Sequence, residues 1–206
     1  MPYSTIVIQK LKDLGYDVCP QVIDFSEFGV PQRRKRFILV GVYKGENDAA
    51  KAFIKNLKQQ KDAFLTSRNL PESPSISDAI SDLLRENGEI PTPDRKGFMS
   101  GKYGCIQNAY QAYMRADIPE GAVISNSHSF AHHTTEKVEC FKNLLGNYPL
   151  RGKRIDGKTR ERWGIRQRGI TVLDPHSVSP TITGMPDDYL HYKEPRIMTV
   201  RECARI

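Results

Sequence analysis

Residues 28–42 read FGVPQRRKRFILVGV. Four basic side chains, Arg33 to Arg36, run without a linker into the apolar stretch that starts at Phe37. A basic cluster by itself marks a solvated surface, and an apolar β-branched run marks a buried strand. Joined, they place charged groups at the mouth of a rigid element, where little side-chain freedom remains to be lost on binding. FILVGVY, 37–43, therefore reads as a buried strand. Residues 17–24, DVCPQVID, read as extended, and Pro20 argues for an edge position or a bulge.

Regular elements flank this pair. Residues 4–14 have helical spacing, with Val7, Leu11 and Leu14 on one face and Gly15 as the stop. Residues 48–61 return to that spacing, with Ala50, Phe53, Ile54 and Leu57 on one stripe. The composition then changes. TSRNLPESPS, 66–75, reads as a loop. Ser75 reads as the N-cap of a helix that carries Ile76, Ala79, Ile80, Leu83 and Leu84 and stops near Asn87-Gly88. Residues 88–104 look irregular, 108–115 helical, and AVIS at 122–125 extended. A helix starts near Thr134, points Val138, Phe141, Leu144 and Leu145 inward, and ends at Gly146. From 147 to 195 the pattern gives turns and short strands. Thr199 reads as an N-cap with Glu202 completing a capping box.

Charge is unevenly distributed. The 206-residue chain carries a net charge of +7. Segment 151–168, RGKRIDGKTRERWGIRQR, accounts for +6 of it, leaving +1 for all the rest. Arg33–Arg36 alone supply +4, so the remainder is slightly acidic. Two concentrated basic segments on a near-neutral body suggest a polyanion footprint. The 38% hydrophobic and 27% charged content fits a soluble globular protein. No apolar stretch approaches the roughly 18 residues of a membrane span, and the N-terminus lacks the basic region of a signal peptide. Cys19, Cys105, Cys140 and Cys203 are far apart and form no CxxC pair, as expected of free thiols in a reducing compartment.

Several chemical patterns are incomplete or carry two readings. Cys19 sits in an extended run with no histidine near it in sequence, and a nucleophilic thiol needs a base, a cation or a helix N-terminus. His128, His132, His133 and Cys140 are spaced H-x3-H-H-x6-C, without the two close ligand pairs of a structural zinc site. GFMSGKYG, 97–104, is one residue short of a phosphate loop and has Tyr103 at the hydroxyl position. No G-x-G-x-x-G occurs. SPTITG, 179–184, is a turn or a phosphate-contacting segment, since short hydroxyl side chains and main-chain N–H groups can approach a backbone closely.

GYDVCPQVIDFSEFGVPQRRKRFILVGV, 15–42, resembles a segment of the DNA (cytosine-5) methyltransferases: a Gly-Tyr strand, then Gly-Val-Pro-Gln-x-Arg-x-Arg, then a strand. DPHSVSPTITG, 174–184, resembles the family's Ser-Pro-Thr-Ile-Thr segment, and EPRIMTVRECARI, 194–206, its later Arg-Glu-x-Ala-Arg motif. Order and spacing agree over essentially the whole chain. The resemblance implies an α/β fold: part of the doubly wound sheet of an S-adenosylmethionine-dependent methyltransferase, plus a small irregular α+β target-recognition domain. The expected division is catalytic α/β domain at 1–61, recognition domain at 62–195, and return to the catalytic domain at 196–206.

It also implies roles. Gln32, Arg34 and Arg36 fall on the Gln-x-Arg-x-Arg positions, where the arginines line the active site and hold a flipped cytosine. Thr181, with Thr183 beside it, matches the threonine that contacts the DNA backbone. Arg201 and Glu202 match residues that brace the recognition region. The basic segment becomes the DNA contact: Arg151, Lys153, Arg154, Arg160, Arg162, Arg166 and Arg168, with Arg166 and Arg168 leading. The implied cofactor is S-adenosylmethionine, and the implied partner is double-stranded DNA, with a cognate restriction endonuclease in a bacterial or phage cytoplasm. The family's Pro-Cys-Gln and Glu-Asn-Val motifs and its Gly-rich cofactor motif do not occur in this chain. The chain is therefore expected to be a C-terminal portion, inactive by itself, whose partner is the missing N-terminal catalytic portion. Three other readings stay open: a DNA-binding module without chemistry, a tRNA cytosine-5 methyltransferase, and a zinc-binding interaction domain on His128, His132 and Cys140.

Overall fold

The computed structural model describes residues 2–46, 48–93 and 95–206. Helix α1, Tyr3–Asp13, ends at Leu14 and Gly15, the latter at φ +85°, a conformation glycine adopts without a Cβ penalty. Strand β1, Tyr16–Asp24, pairs antiparallel with β2, Lys35–Tyr43, as a two-stranded sheet with Tyr16 opposite Tyr43 and Asp24 opposite Lys35. Pro20 sits in β1 opposite Leu39. Helix α2, Ala49–Ser67, packs on both strands. The Asp17 carboxylate accepts the otherwise unsatisfied Ala50 N–H at 2.7 Å, which ties the start of α2 to the sheet.

Two expectations change here. Strand β2 has no fully buried residue. Its partner face with Asp17, Cys19, Gln21 and Ile23 lies toward α2. The opposite face carries Val22, Phe37 and Tyr43 at 65%, 49% and 58% exposure. Helix α2 also runs six residues past the expected end at 61, into the stretch read as a loop, because Leu65 is buried against the turn at Gly29.

The remainder is built from short elements. Helix α3, Ile76–Ile80, has the full capping box, with Ser75 and Asp78 exchanging bonds. It continues as two 3-10 turns, Ser81–Leu83 and Arg85–Asn87, rather than as one helix. Strands β3, Glu89–Pro91, and β4, Met99–Lys102, occupy the stretch read as irregular. Helix α4 is Ala109–Met114, capped by Asn108. Strand β5, Ile124–Ser129, starts two residues later than AVIS and completes the antiparallel sheet β3-β4-β5. Helix α5, Thr135–Asn147, is capped by Thr134 and passes one residue beyond Gly146; it buries Phe141 and Leu144 and leaves Val138 and Leu145 half-buried.

A third sheet joins β6, Arg154–Ile155, β7, Ile170–Val172, and β8, Tyr189–Leu190. Helix α6, Gly157–Arg162, was not expected; its lack of an apolar stripe hides it from a periodicity reading. Helix α7, Val200–Arg205, carries the Thr199–Glu202 capping box. One core gathers Ile76, Ile80, Leu83, Tyr110, Leu173 and Tyr189; a second gathers Phe141, Leu144, Ile155, Ile170, Val172 and Leu190.

Candidate nucleic-acid interface

The turn between β1 and β2 decides where the arginines go. Asp24 caps a 3-10 turn, Phe25–Phe28, and accepts from both the amide and the hydroxyl of Ser26. Those bonds, the hydroxyl's first, hold its carboxyl below the usual range. Gly29 follows at φ +75°, and a Cβ there would meet Leu65 Cδ2 at 2.8 Å. The Gly29 amide donates to Glu72 O and the Ser73 hydroxyl to Ser26 O. Fixed on both sides, the chain emerges at Pro31 in one direction.

There it meets a segment far away in sequence. Ser179 N–H donates to Pro31 O and Arg33 N–H to Ser179 O, both at 2.8 Å, in a parallel bridge between Gln32 and Ser179. The Thr181 hydroxyl donates to Arg33 O at 2.6 Å, across 148 positions of sequence. The Tyr189 hydroxyl donates to Thr181 O at 2.8 Å. Gln32, Arg34 and Thr181 are thus brought together, and Arg36 follows two residues along the chain. Gln32 is buried, with Arg34 Nη1 3.5 Å from its Oε1. Arg34 is half-buried, whereas Arg33, Lys35 and Arg36 are exposed. Arg36 lies opposite Ile23, and its Nη1 turns back to Lys35 O at 2.8 Å. Within β2, which starts at Lys35, strand alternation puts Arg36 on the other face from Lys35. Thr183 is exposed, its hydroxyl accepting from Met185 N–H at 3.4 Å.

The basic segment divides in two. Arg151 donates to Leu145 O and Tyr192 O, each at 2.7 Å, so its guanidinium is engaged inside the fold. Arg160 donates to Gln167 O, and Arg154 pairs with Asp188 at 2.8 Å. Lys153, Arg162, Arg166 and Arg168 are exposed. Arg166 lies 3.5 Å from Glu136, with both side chains in solvent. Gln167 Nε2 reaches Asp187 O at 3.5 Å. The 179–190 segment therefore touches the arginine mouth at one end and the basic segment at the other.

Glu202 is fully buried and makes two bonds with Arg196, 2.6 and 2.8 Å long, while Glu194 takes the Arg196 Nε–H at 2.7 Å. Burial alone would raise the Glu202 carboxyl; the guanidinium overrides it and brings it down to about 2. Arg201 Nε–H donates to Asn126 O at 3.1 Å. Arg205 reaches Asp82 at 2.6 Å, and its carbonyl accepts from the Tyr110 hydroxyl. This motif ties α7 to the end of α3, to the 3-10 turn that follows it and to β5. Arg196, Arg205, His191 and Tyr189 were missed in the sequence. Glu194 and Arg196 beside Tyr192, Ile197 and Met198 were the available signal, since charges in an apolar run need partners.

The histidines serve packing. His128 is buried, with Nδ1 on the Thr199 hydroxyl and Nε2 on Leu83 O. His132 stacks on Phe98, His133 Nε2 accepts from Ile197 N–H, and Cys140 Sγ faces Trp163 O. Among the described residues no three His, Cys, Asp or Glu groups gather as metal ligands. Cys19 lies within β1, opposite Val40.

Residues 3–206 match the family described as C-5 cytosine-specific DNA methylase. The Type II methyltransferase M.MspI of Moraxella sp is 54% identical over 188 residues, 90% of this chain and 34% of that protein. The Type II methyltransferase M.BbvI of Brevibacillus brevis is 27% identical over 197 residues, 93% of this chain and 39% of that protein. A solved structure described as a candidate DNA modification methyltransferase encoded within an E. coli prophage superposes with a TM-score of 0.56 at 19% identity, and shares the fold over 98% of this chain and 53% of that one. The chain thus spans 34% and 39% of these two curated relatives.

Proposed function

Because the chain belongs to the C-5 cytosine-specific DNA methylase family, we propose that it forms the DNA-facing part of a DNA cytosine-5 methyltransferase, which holds the extruded cytosine and contacts the duplex. The observation that carries this reading is the pairing of Pro31–Arg33 with Ser179–Thr181, which joins Thr181 to the backbone just before Arg34 and Arg36.

The chemistry of those groups suits the task. A target atom inside a stacked duplex must leave the stack to be modified. A guanidinium stays charged and offers directed donors to a base carbonyl or a phosphate. In this reading Arg34, half-buried beside Gln32, takes the base, and Arg36, exposed at the strand end, the base carbonyl or the flanking phosphate. Thr181 and Thr183 contact the DNA backbone, and Lys153, Arg154, Arg160, Arg162, Arg166 and Arg168 form the wider footprint. Arg201 and Glu202 hold this surface in register.

S-adenosylmethionine supplies the methyl group in the whole reaction. Doubly wound folds hold nucleotide-like ligands beyond the carboxyl ends of parallel strands. The β1–β2 ladder is antiparallel, and β7–β8 is a two-pair parallel contact inside the second core, so these residues do not fit a cofactor cradle. By itself the chain, without Pro-Cys-Gln and Glu-Asn-Val motifs, transfers no methyl group. Its partners are duplex DNA, a polypeptide carrying those motifs, and, as a Type II enzyme, a cognate restriction endonuclease. The setting is the cytoplasm; no helix among the described residues is long and apolar enough to cross a membrane.

Anisotropy titration of the chain tests this reading. A duplex with a cytosine opposite an abasic site should bind about tenfold tighter than the fully paired duplex, the size of one good bidentate contact. Arg34→Ala and Arg36→Ala should erase that preference. Equal binding of both duplexes by the unaltered chain, or displacement of DNA by a lower concentration of tRNA, sinks the reading.

A further inference from the structure

We propose that Tyr189 is a positioning residue for the DNA-contacting mouth: its hydroxyl latches the Ser179–Thr181 segment, and through it the backbone that carries Arg34 and Arg36. The inference rests on the functional reading above.

Tyr189 is 5% exposed and lies in β8, paired with Thr171 of β7 and packed in the core with Leu173 and Tyr192. Its ring is therefore anchored by elements that do not depend on the arginine loop. A buried phenol needs a polar partner, and among the described residues Tyr189 donates to Thr181 O at 2.8 Å. Thr181 in turn donates from its side chain to Arg33 O at 2.6 Å. On the near side, Ser179 exchanges two backbone bonds of 2.8 Å with Pro31 and Arg33. The seam thus has two backbone bonds at Ser179 and one side-chain bond at Thr181, and Tyr189 fixes the segment that makes them.

The neighbouring residue gives the latch a second end. Asp188 pairs with Arg154 in β6 at 2.8 Å, and Asp187 O lies 3.5 Å from Gln167 Nε2. Two adjacent residues therefore hold the arginine mouth and the basic segment to one strip. A base site and a duplex-contacting segment act on one DNA only when their separation is fixed to a fraction of an ångström. The Tyr189 hydroxyl is the group in that strip whose removal leaves the side-chain shape intact.

The test compares Tyr189→Phe with the unaltered chain in two independent readouts. In hydrogen exchange, the Arg33 and Ser179 amides should exchange about fivefold faster, the effect of one net hydrogen bond. The melting temperature should fall by no more than about 2–4 °C, the size of one net hydrogen bond in a chain of this length. Thr181→Val, which removes the bond to Arg33 O, should open the same two amides. In DNA titration, Tyr189→Phe should weaken binding to the abasic-opposed cytosine duplex by a similar factor. Unchanged Arg33 and Ser179 exchange in Tyr189→Phe overturns the latch. Faster exchange with unchanged DNA affinity overturns the positioning role. If the unaltered chain shows no preference for the extruded cytosine, the functional reading fails, and the exchange data still decide whether the latch exists.

Discussion

Glu202 and Arg196 face each other inside the fold through two hydrogen bonds of 2.6 and 2.8 Å, both residues at most 2% exposed. Glu202 also accepts from Thr199 N–H at 2.7 Å, so one carboxylate closes the α7 cap and neutralises a buried guanidinium. Taking one partner from a buried pair leaves the other charge uncompensated. Glu202→Gln keeps the size and one acceptor oxygen but removes the charge. Its expected cost is about 3 kcal/mol in urea unfolding. A loss under 1 kcal/mol would mean that Glu194 alone balances Arg196.

Two buried histidines make the fold sensitive to acid. His191 Nδ1 accepts from the amides of Lys193 and Glu194, and burial first, then Arg196, pushes it down to about 3. His128 is also lowered, mainly by burial. The unfolded chain takes up these protons near pH 6.5, and the folded chain only at lower pH. Stability should be flat above about pH 7 and fall as pH drops below 6.5, by up to about 2.7 kcal/mol per pH unit for two protons. Glu202 adds the same sign below its unfolded value of 4.5, since its stabilisation is lost as pH falls toward 2. Melting curves at pH 8, 7, 6 and 5 check this; a maximum near pH 5 would contradict neutral buried imidazoles.

What the sequence disclosed was local. Caps at Ser75 and Thr199 were readable because a cap is a contact over three residues. The β1–β2 pair was readable from composition, but its exposed face was not, since burial depends on what lies against a sheet. The candidate site residues were named from motifs, whereas the Thr181–Arg33 bond spans most of the chain and leaves no local trace. Arg151 shows the same limit from the other side. Its charge counted toward a polyanion footprint, yet its partners are two carbonyls that no sequence pattern marks.

That contrast separates Arg151 from Arg166 and Arg168 by experiment. Arg151 bridges Leu145 O, near the end of α5, and Tyr192 O, so it satisfies a helix-terminal carbonyl and joins two chain segments. Arg151→Ala should cost roughly 2 kcal/mol of stability and leave DNA affinity at 25 °C unchanged. Arg166 and Arg168 are exposed, and the solvent-facing Arg166–Glu136 pair contributes little. The double variant Arg166→Ala/Arg168→Ala should melt like the unaltered chain. Its plot of log affinity against log salt should lose about 1.8 from the slope, about 0.9 for each phosphate contact. If Arg151→Ala instead keeps its stability and flattens the salt dependence, its guanidinium leaves the two carbonyls to meet DNA, and the interface extends to the end of α5.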